Sequence, residues 1–535
     1  AAGLVTTAAA GLPAAAGPAT PAARGGPGGS LFRPGNLLLS TRVYDDRAAT
    51  VVAGKTVLPP GCKSDCAVAT DNGSYPQVWN NTLVDGNFGI TSKIVLDQLT
   101  PSGRLVNALT VPGDRAGKDR LVTSFSSKSE LSLHLSTDGR DVTFMGYAAP
   151  VDALDVSNSN APGVVDPTSP VSGTYYRVVA DVDAHGRIGL TDTNAYSGDN
   201  GRAAIRNHSR GTDVLYLAGN ADNGDDPQPD GVIIAAGAQI ATPASRPQAA
   251  QHPGPPTPVG SFNVTQLGDP QDKIGKDTNF ANLTVFHNVL YYTKGSGSNG
   301  VNTVYFLDST GRACPKGVGV PSPRASLSTK PLRYDPAQLQ TAGLQPTNMC
   351  ILRGFPTGLG NESFAPSGFW FADPNTLYVA DAGNGDDTYS VATGTYTDAA
   401  AQTGAGPQKW VRKGGDWALA YVLRNGLSLG APYTVRGYPT GTNPSTGLPW
   451  SPASDGLRGV TGRMNADGTT TIWAVTSTVS GNADPGADPN RLVAVTDRPH
   501  ATVPAANSRF TTVRTAKYRQ VLRGVSFTPG TGTRH

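Results

Sequence analysis

One orphan strand constrains this chain more than any other feature. Residues 521–527 (VLRGVSF) look like the first strand of a β-meander, yet the sequence stops soon after them. Five earlier segments open in the same way: an apolar β-rich strand, a tight polar turn, a second strand, a long loop rich in Asp, Asn, Gly and Pro, then one or two further strands. The partners missing from the sixth stand at the other end of the chain, in residues 36–44, 93–99 and 104–111. A sheet shared between the two ends is how a ring of sheets is sealed, and ring closure removes most of the exposed edges that lone short sheets would present. The expected fold is all-β: a six-bladed β-propeller, with seven blades as the alternative.

The units can be followed along the chain. The first has residues 130–136, the turn Thr137-Asp138-Gly139, residues 141–147, a long loop, then 175–181 and 189–192. The second has 202–207, 214–220 and 231–240. The third has 282–287, 289–294, 303–308 and, as an outer strand, 349–353. The fourth has 367–372, 376–382, a long loop and 417–423. The fifth has 458–465, 471–476, 491–496 and 510–514. Alternating β-branched and aromatic residues bounded by Asp-Gly or His-Gly are hairpin signals. First strands recur every 65–90 residues or so, longer than the usual propeller period, with loop insertions supplying the excess. Residues 315–348 are the stretch with room for extra strands.

Composition agrees with this reading. Of 535 residues 65 are Gly and 43 Pro, and 16% are charged, a profile suited to many turns between short strands. No window sustains a helical period, so helix should be minor. The net charge of +3 comes with no basic run, which argues against nucleic acid as a partner. No apolar run is long enough for a membrane span. Residues 1–35, rich in Ala, Gly and Pro, read as an arm or linker ahead of a single propeller domain at 36–535. They look like what remains after signal removal, so the chain is expected to be secreted. Four cysteines pair most simply as two local disulfides, Cys62–Cys66 and Cys314–Cys350, which implies an oxidising compartment. A metal pair at Cys62 and Cys66 is the rival, without a matching second pair.

The segment Asn375-Thr376-Leu377-Tyr378-Val379-Ala380-Asp381-Ala382-Gly383-Asn384 resembles the NHL-type propeller repeat, whose second strand often reads LYVAD followed by Gly or Asn. Residues 215–220 and 473–477 echo it more weakly. The resemblance implies the propeller fold; because that repeat occurs in enzymes, adhesion modules and scaffolds, it implies no activity.

The connections between first and second strands are short, and those between second and third strands are long. One face of the ring is thus trimmed to turns and the other carries the insertions, where binding and catalysis usually sit. Leu457-Arg458-Gly459-Val460 and Leu522-Arg523-Gly524-Val525 share a sub-motif at the start of innermost strands, and Leu352-Arg353-Gly354-Phe355 repeats it on an outer one. Arg458 and Arg523, with Arg202 in the equivalent place, should project toward the channel mouth. Lys128 and Glu130 lead into the first unit, Glu362 lies near the fourth, and Tyr518 near Arg523. Converging guanidinium groups can hold a carboxylate, sulfate or phosphate; alternatively each Arg pairs with a neighbouring Asp, such as Asp199 or Asp455. Acidic loop clusters offer oxygen ligands for calcium at Asp222, Asp225, Asp226, Asp386, Asp387, Asp484 and Asp488, although solvated turns use the same residues. No nucleophile, phosphate-loop or dinucleotide motif is present. His134 and His287 sit where strand alternation places polar residues. Two functions follow: an exported binding module whose long-loop face engages a glycan, surface polymer or protein, or an extracellular hydrolase or lyase acting on an anionic polysaccharide or phosphoester.

Overall fold

The computed structural model describes residues 29–44, 52, 54–58, 67–68, 89–112, 121–164, 171, 173–208, 211–220, 237–249, 279–296, 301–314, 317–329, 349–358, 363–482 and 484–532. They form six antiparallel sheets ranged as the blades of a propeller. From the channel outward, blade 1 has His134–Leu135, Asp141–Tyr147, Arg177–Asp183 and Ile188–Thr193. Blade 2 has Gly201–Asn207, Val214–Gly219 and Ala238–Ala241. Blade 3 has Asn282–Phe286, Val289–Lys294, Thr303–Leu307 and Met349–Leu352. Blade 4 has Pro366–Asp373, Thr376–Asp381, Gly406–Lys413 and Asp416–Val422. Blade 5 has Ala453–Met464, Thr470–Val479, Arg491–Asp497 and Thr511–Thr515.

Blade 6 is the shared one. The C-terminal strand Gln520–Phe527 is innermost, followed by Leu37–Val43, Thr91–Leu99 and Leu105–Thr110. Leu37 faces Phe527 and Val43 faces Gln520 across the closing ladder. Beyond it, the Thr528 amide donates to the Asn36 carbonyl (3.0 Å), and the Gly35 amide to the Thr531 hydroxyl (2.8 Å).

Strand alternation puts one side chain in two on each face of a blade, and each face is buried against the next sheet. Six apolar clusters result, one in each gap. Leu96 and Phe144 mark the gap between blades 6 and 1, Met145 and Leu217 that between 1 and 2, and Tyr216 and Tyr292 that between 2 and 3. Phe306 and Phe371 mark the gap between 3 and 4, Tyr378 and Ile472 that between 4 and 5, and Trp473 and Leu522 that between 5 and 6.

Near the axis the strands close in until backbone meets backbone. A methyl group on Gly459 would stand 2.6 Å from the Arg523 carbonyl oxygen, and one on Gly524 would stand 2.4 Å from that of Leu131. This is why Gly follows Arg in both copies of the sub-motif: the neighbouring innermost strand occupies the place of a side chain.

Three expectations need correction. Gly406–Lys413 is a full strand of blade 4, where the sequence reading placed a loop. Blade 1's innermost strand shrinks to two residues because Leu131 takes a left-handed backbone (φ 65°), which breaks the pairing. The innermost strand of blade 5 starts at Ala453, so Arg458 lies inside it, beside register shifts. The stretch expected to have room for extra strands does hold one: Val318–Gly319 runs parallel to Met349–Leu352 on the outer edge of blade 3. The Cys314–Cys350 disulfide fastens that edge. Cys62 and Cys66 lie outside the described residues. Among the described residues no helix is long and apolar enough to cross a membrane, and the one α-helix, Thr397–Ala401, has five residues.

The close approach at Gly459 makes a testable point. Gly459→Ala should destabilise the protein by about 1–3 kcal/mol through overpacking, measured as a lower urea midpoint with unchanged slope. An unchanged midpoint would mean that the strands can part at no cost.

Candidate functional site

The mouth of the channel on the long-loop face is built by residues in the first halves of innermost strands and the segments just before them. Arg202 comes from blade 2, Asp455 and Arg458 from blade 5, and Arg523 from blade 6. Arg42 reaches in from the second strand of blade 6, and Lys128 and Glu130 from the segment leading into blade 1. Arg458 and Arg202 start on opposite sides of the ring, yet each guanidinium lies within the field of the other.

Glu130 is the anchor. Its side chain is fully buried, and Oε2 accepts from the Thr123 hydroxyl (2.6 Å) and the Ser124 amide (3.0 Å). Oε1 accepts from the Tyr147 hydroxyl (2.6 Å) and Ser157 (3.2 Å). Arg42 Nη2 lies 3.8 Å from Oε2. That carboxylate is thus spent on tying blade 6 to blade 1.

Arg42 is itself fully buried. Its Nη1 donates to the carbonyls of Phe125 (3.3 Å) and Ser127, while Nε and Nη2 have no hydrogen-bond acceptor. Arg523 donates from Nη2 to the carbonyls of Gly486 and Ser126, and its buried Nε has no acceptor. Arg202 donates to the side chains of Asn200 (2.9 Å) and Asn279 and to the Phe280 carbonyl (3.4 Å). Arg458, half-buried, makes no hydrogen bond and no ion pair with any described residue.

The carboxylates nearby do not neutralise this group. Asp455 is buried and accepts from the Gly385 amide (2.9 Å) and from Gln402 (2.5 Å), feeling Arg458 and Lys128 only at longer range. Asp199 takes the Asn200 amide (2.8 Å) and the Asn220 side chain, so it is no partner for Arg202. The expected pairing of each arginine with a neighbouring aspartate is therefore not what these contacts show. Among the described residues around the mouth, Arg42, Arg202, Arg458, Arg523 and Lys128 stand against Glu130, Asp455 and Asp484. Burial and the mutual repulsion of the arginines pull Arg42 and Arg458 down to about 10 and Arg523 well below its usual value. They are held in a place where a further negative charge would relieve the mutual repulsion.

The acidic loops divide. Asp386 and Asp387 are exposed, and Asp386 accepts from the amide (2.8 Å) and hydroxyl (2.6 Å) of Thr388, closing its own turn. Asp222, Asp225, Asp226 and Glu362 lie outside the described residues. Asp484 and Asp488 are buried, and each leaves Oδ2 without a hydrogen bond. Desolvation pushes both up to about 7. For calcium the fit at Asp484 is poor, since Lys128 and Arg523 already face it as cations. Its surroundings suit a counter-ion to the arginines. Asp308 comes within ligating distance of Cys314 and Cys350. Those sulfurs form a disulfide, and the carboxylate is occupied by Thr310 and the Ala313 amide. Tyr518 packs against Tyr438, ring centroids 6.2 Å apart.

Sequence reasoning missed Arg42, which reads as one polar residue in an ordinary strand, and Arg177. The latter is fully buried and donates to the carbonyls of Tyr175, Ser157, Ser159 and Asp199. No protein-family description matches the chain, and no curated protein is similar to it.

Two outcomes follow from this geometry. Glu130→Ala leaves the Arg42 guanidinium buried without its counter-charge and should cost about 3–5 kcal/mol, read from chemical denaturation; a loss under about 1 kcal/mol would contradict the anchoring role. Asp488 holds its proton to about pH 7 when folded but releases it near 3.8 when unfolded. Its contribution is therefore complete below the lower value and lost as pH rises through the higher one. The melting temperature of the wild type minus that of Asp488→Asn should fall between pH 4 and 7. A difference independent of pH would refute the shift.

Proposed function

We propose that this protein is an exported binding module that captures an acidic glycan at the long-loop mouth of its channel. The observation that carries the reading is Arg458: a guanidinium that makes no hydrogen bond or ion pair with any described residue, in a mouth where, among the described residues, cations outnumber carboxylates and three blades contribute arginines. A guanidinium meets a carboxylate through two parallel hydrogen bonds, and a uronic-acid residue would supply that group at intervals along a polymer. Arg202 and Arg523 are held by neutral groups, which fixes their heads without cancelling their charge. Long loops around the rim would give the polymer its remaining contacts.

A second reading, an extracellular hydrolase or lyase acting on the same polymer, has one observation in its favour. Asp484, pushed up to about 7 beside Arg523 and Lys128, has the titration range of a general acid or base. It is buried rather than open to the channel, which favours binding over turnover.

Calorimetric titration of the full chain with polygalacturonate tests the proposal. Binding should weaken as salt rises, and Arg458→Ala should lose roughly tenfold or more in affinity, as expected for one charged hydrogen-bonding group. An Arg458→Ala protein that binds as well as the wild type, or a wild type that does not bind at low salt, would overturn it. New unsaturated or reducing ends in the same samples would favour the enzyme.

A further inference from the structure

The other end of the channel has a different character. A cavity of about 340 Å³ opens there on the short-turn face, walled by the far ends of all six innermost strands. Each blade gives it an apolar group: Leu133, Ile205, Phe286, Trp370, Val460 and Phe527, in blade order. Phe286 stacks on Phe371 at 4.4 Å with planes 5° apart, and Phe527 meets Trp473 edge to face at 5.7 Å, which keeps those walls stiff. The volume lies in the range of about 300–1,000 Å³ typical of small-molecule sites, which pair apolar walls with a few polar groups that fix orientation. Along blade 5 the wall runs from Val460 to Met464, about 13 Å of strand at about 3.3 Å per residue.

Arg463 supplies the polar group. It is the only Lys, Arg, Asp or Glu among the described residues that line the chamber. Unlike the arginines of the mouth, it is exposed. Its guanidinium carbon lies 5.9 Å from the ring centre of Phe527, itself a wall residue, and 5.7 Å from that of Trp473. The cationic head is thus held against a ring of the chamber wall while it stays open to solvent. Aromatic faces attract a cation, but they leave its hydrogen bonds unmade. Among the described residues no oxygen accepts from any of its five N–H groups, and no carboxylate pairs with it.

A guanidinium in that state receives a carboxylate through two parallel hydrogen bonds. The apolar walls decide what the rest of the ligand is. A sugar acid would bring hydroxyl groups to walls that can satisfy few of them, and a polyanion would set further charges against hydrocarbon. One acid group on an otherwise apolar body avoids both costs. Because the charge is at the exposed rim and the wall is long, the acid belongs at one end of the ligand and an extended chain fills the remainder.

We propose that the short-turn end of the channel binds a medium-chain fatty acid, its carboxylate paired with Arg463 at the rim and its alkyl chain lying among the six apolar walls. The site is separate from the cationic mouth and does not depend on what binds there.

Calorimetric titration of the full chain with hexanoate, octanoate and octan-1-ol tests this. Octanoate should bind saturably and about tenfold more tightly than hexanoate, as burial of two further methylene groups implies. It should also bind roughly tenfold or more tightly than octanol, which lacks the charged hydrogen bonds. Arg463→Gln should erase the preference over octanol, and Val460→Trp, which fills the chamber, should abolish binding of both. Near-UV circular dichroism reports whether each variant is folded; if Val460→Trp is not, Thr284→Trp blocks the chamber from another blade. An acid held by the mouth arginines instead would bind without regard to chain length and would ignore Arg463→Gln. Either of those results, absence of saturable octanoate binding to the wild type, or normal binding in a folded chamber-filling variant would overturn the proposal.

Discussion

Everything in this molecule depends on one pairing between residues nearly five hundred positions apart, the ladder that sets Leu37–Val43 against Gln520–Phe527. Without it the first blade of the ring and the last would each expose a strand edge and an apolar face. With it, every sheet has two neighbours, and all six gaps are filled by clusters of the same kind. The loop-closure entropy of so distant a contact is large, though it grows only slowly with length, and it is offset by burial on both faces of the shared blade. Closure also explains the glycines at the axis. Six strands brought to a common centre approach more closely than side chains allow, and Gly459 and Gly524 are where the ring absorbs this.

The same convergence gives the channel its two chemistries. The innermost strands of blades 2, 5 and 6 carry arginines in their first halves, toward one face, and all six strands end at the other face with apolar residues. A channel strand buried on both sides by its neighbours has few places to put a charge, and its first turn, next to the loops, is one of them. The charges gathered there are held by carbonyls and amides more than by carboxylates: Arg523 by Gly486 and Ser126, Arg202 by Asn200, Asn279 and Phe280. Neutral partners position a guanidinium and leave its field intact. Opposite charges would have consumed it.

Much of the fold could be read from the chain because its signals are local. Alternation and Asp-Gly or His-Gly turns mark hairpins within a dozen residues, and the unpartnered last strand exposes the closure. What escaped reading depends on distant partners. Gly406–Lys413 was hidden because Gln408 and Lys409 look solvated; in the fold Lys409 is buried, bonded to Tyr421 (2.8 Å) and paired with Asp497 (3.2 Å) of blade 5. Arg42 and Glu130 are ordinary residues until a separation of 88 positions is folded to contact. At the mouth, the repeated Leu-Arg-Gly-Val drew attention to Arg458 and Arg523, which lie in one field, but nothing in it revealed that Arg458 makes no hydrogen bond or ion pair with any described residue.

Both ends of the described chain leave the ring on the same side. Thr531 and Gly532 border the apolar chamber, and Arg33–Asn36 lies beside them through the contacts of Thr528 and Gly35. Whatever is joined to either end is therefore held at the short-turn side. The arginine mouth lies at the opposite opening of the channel, so a segment joined at either end of the described residues departs from the side that the arginines do not occupy.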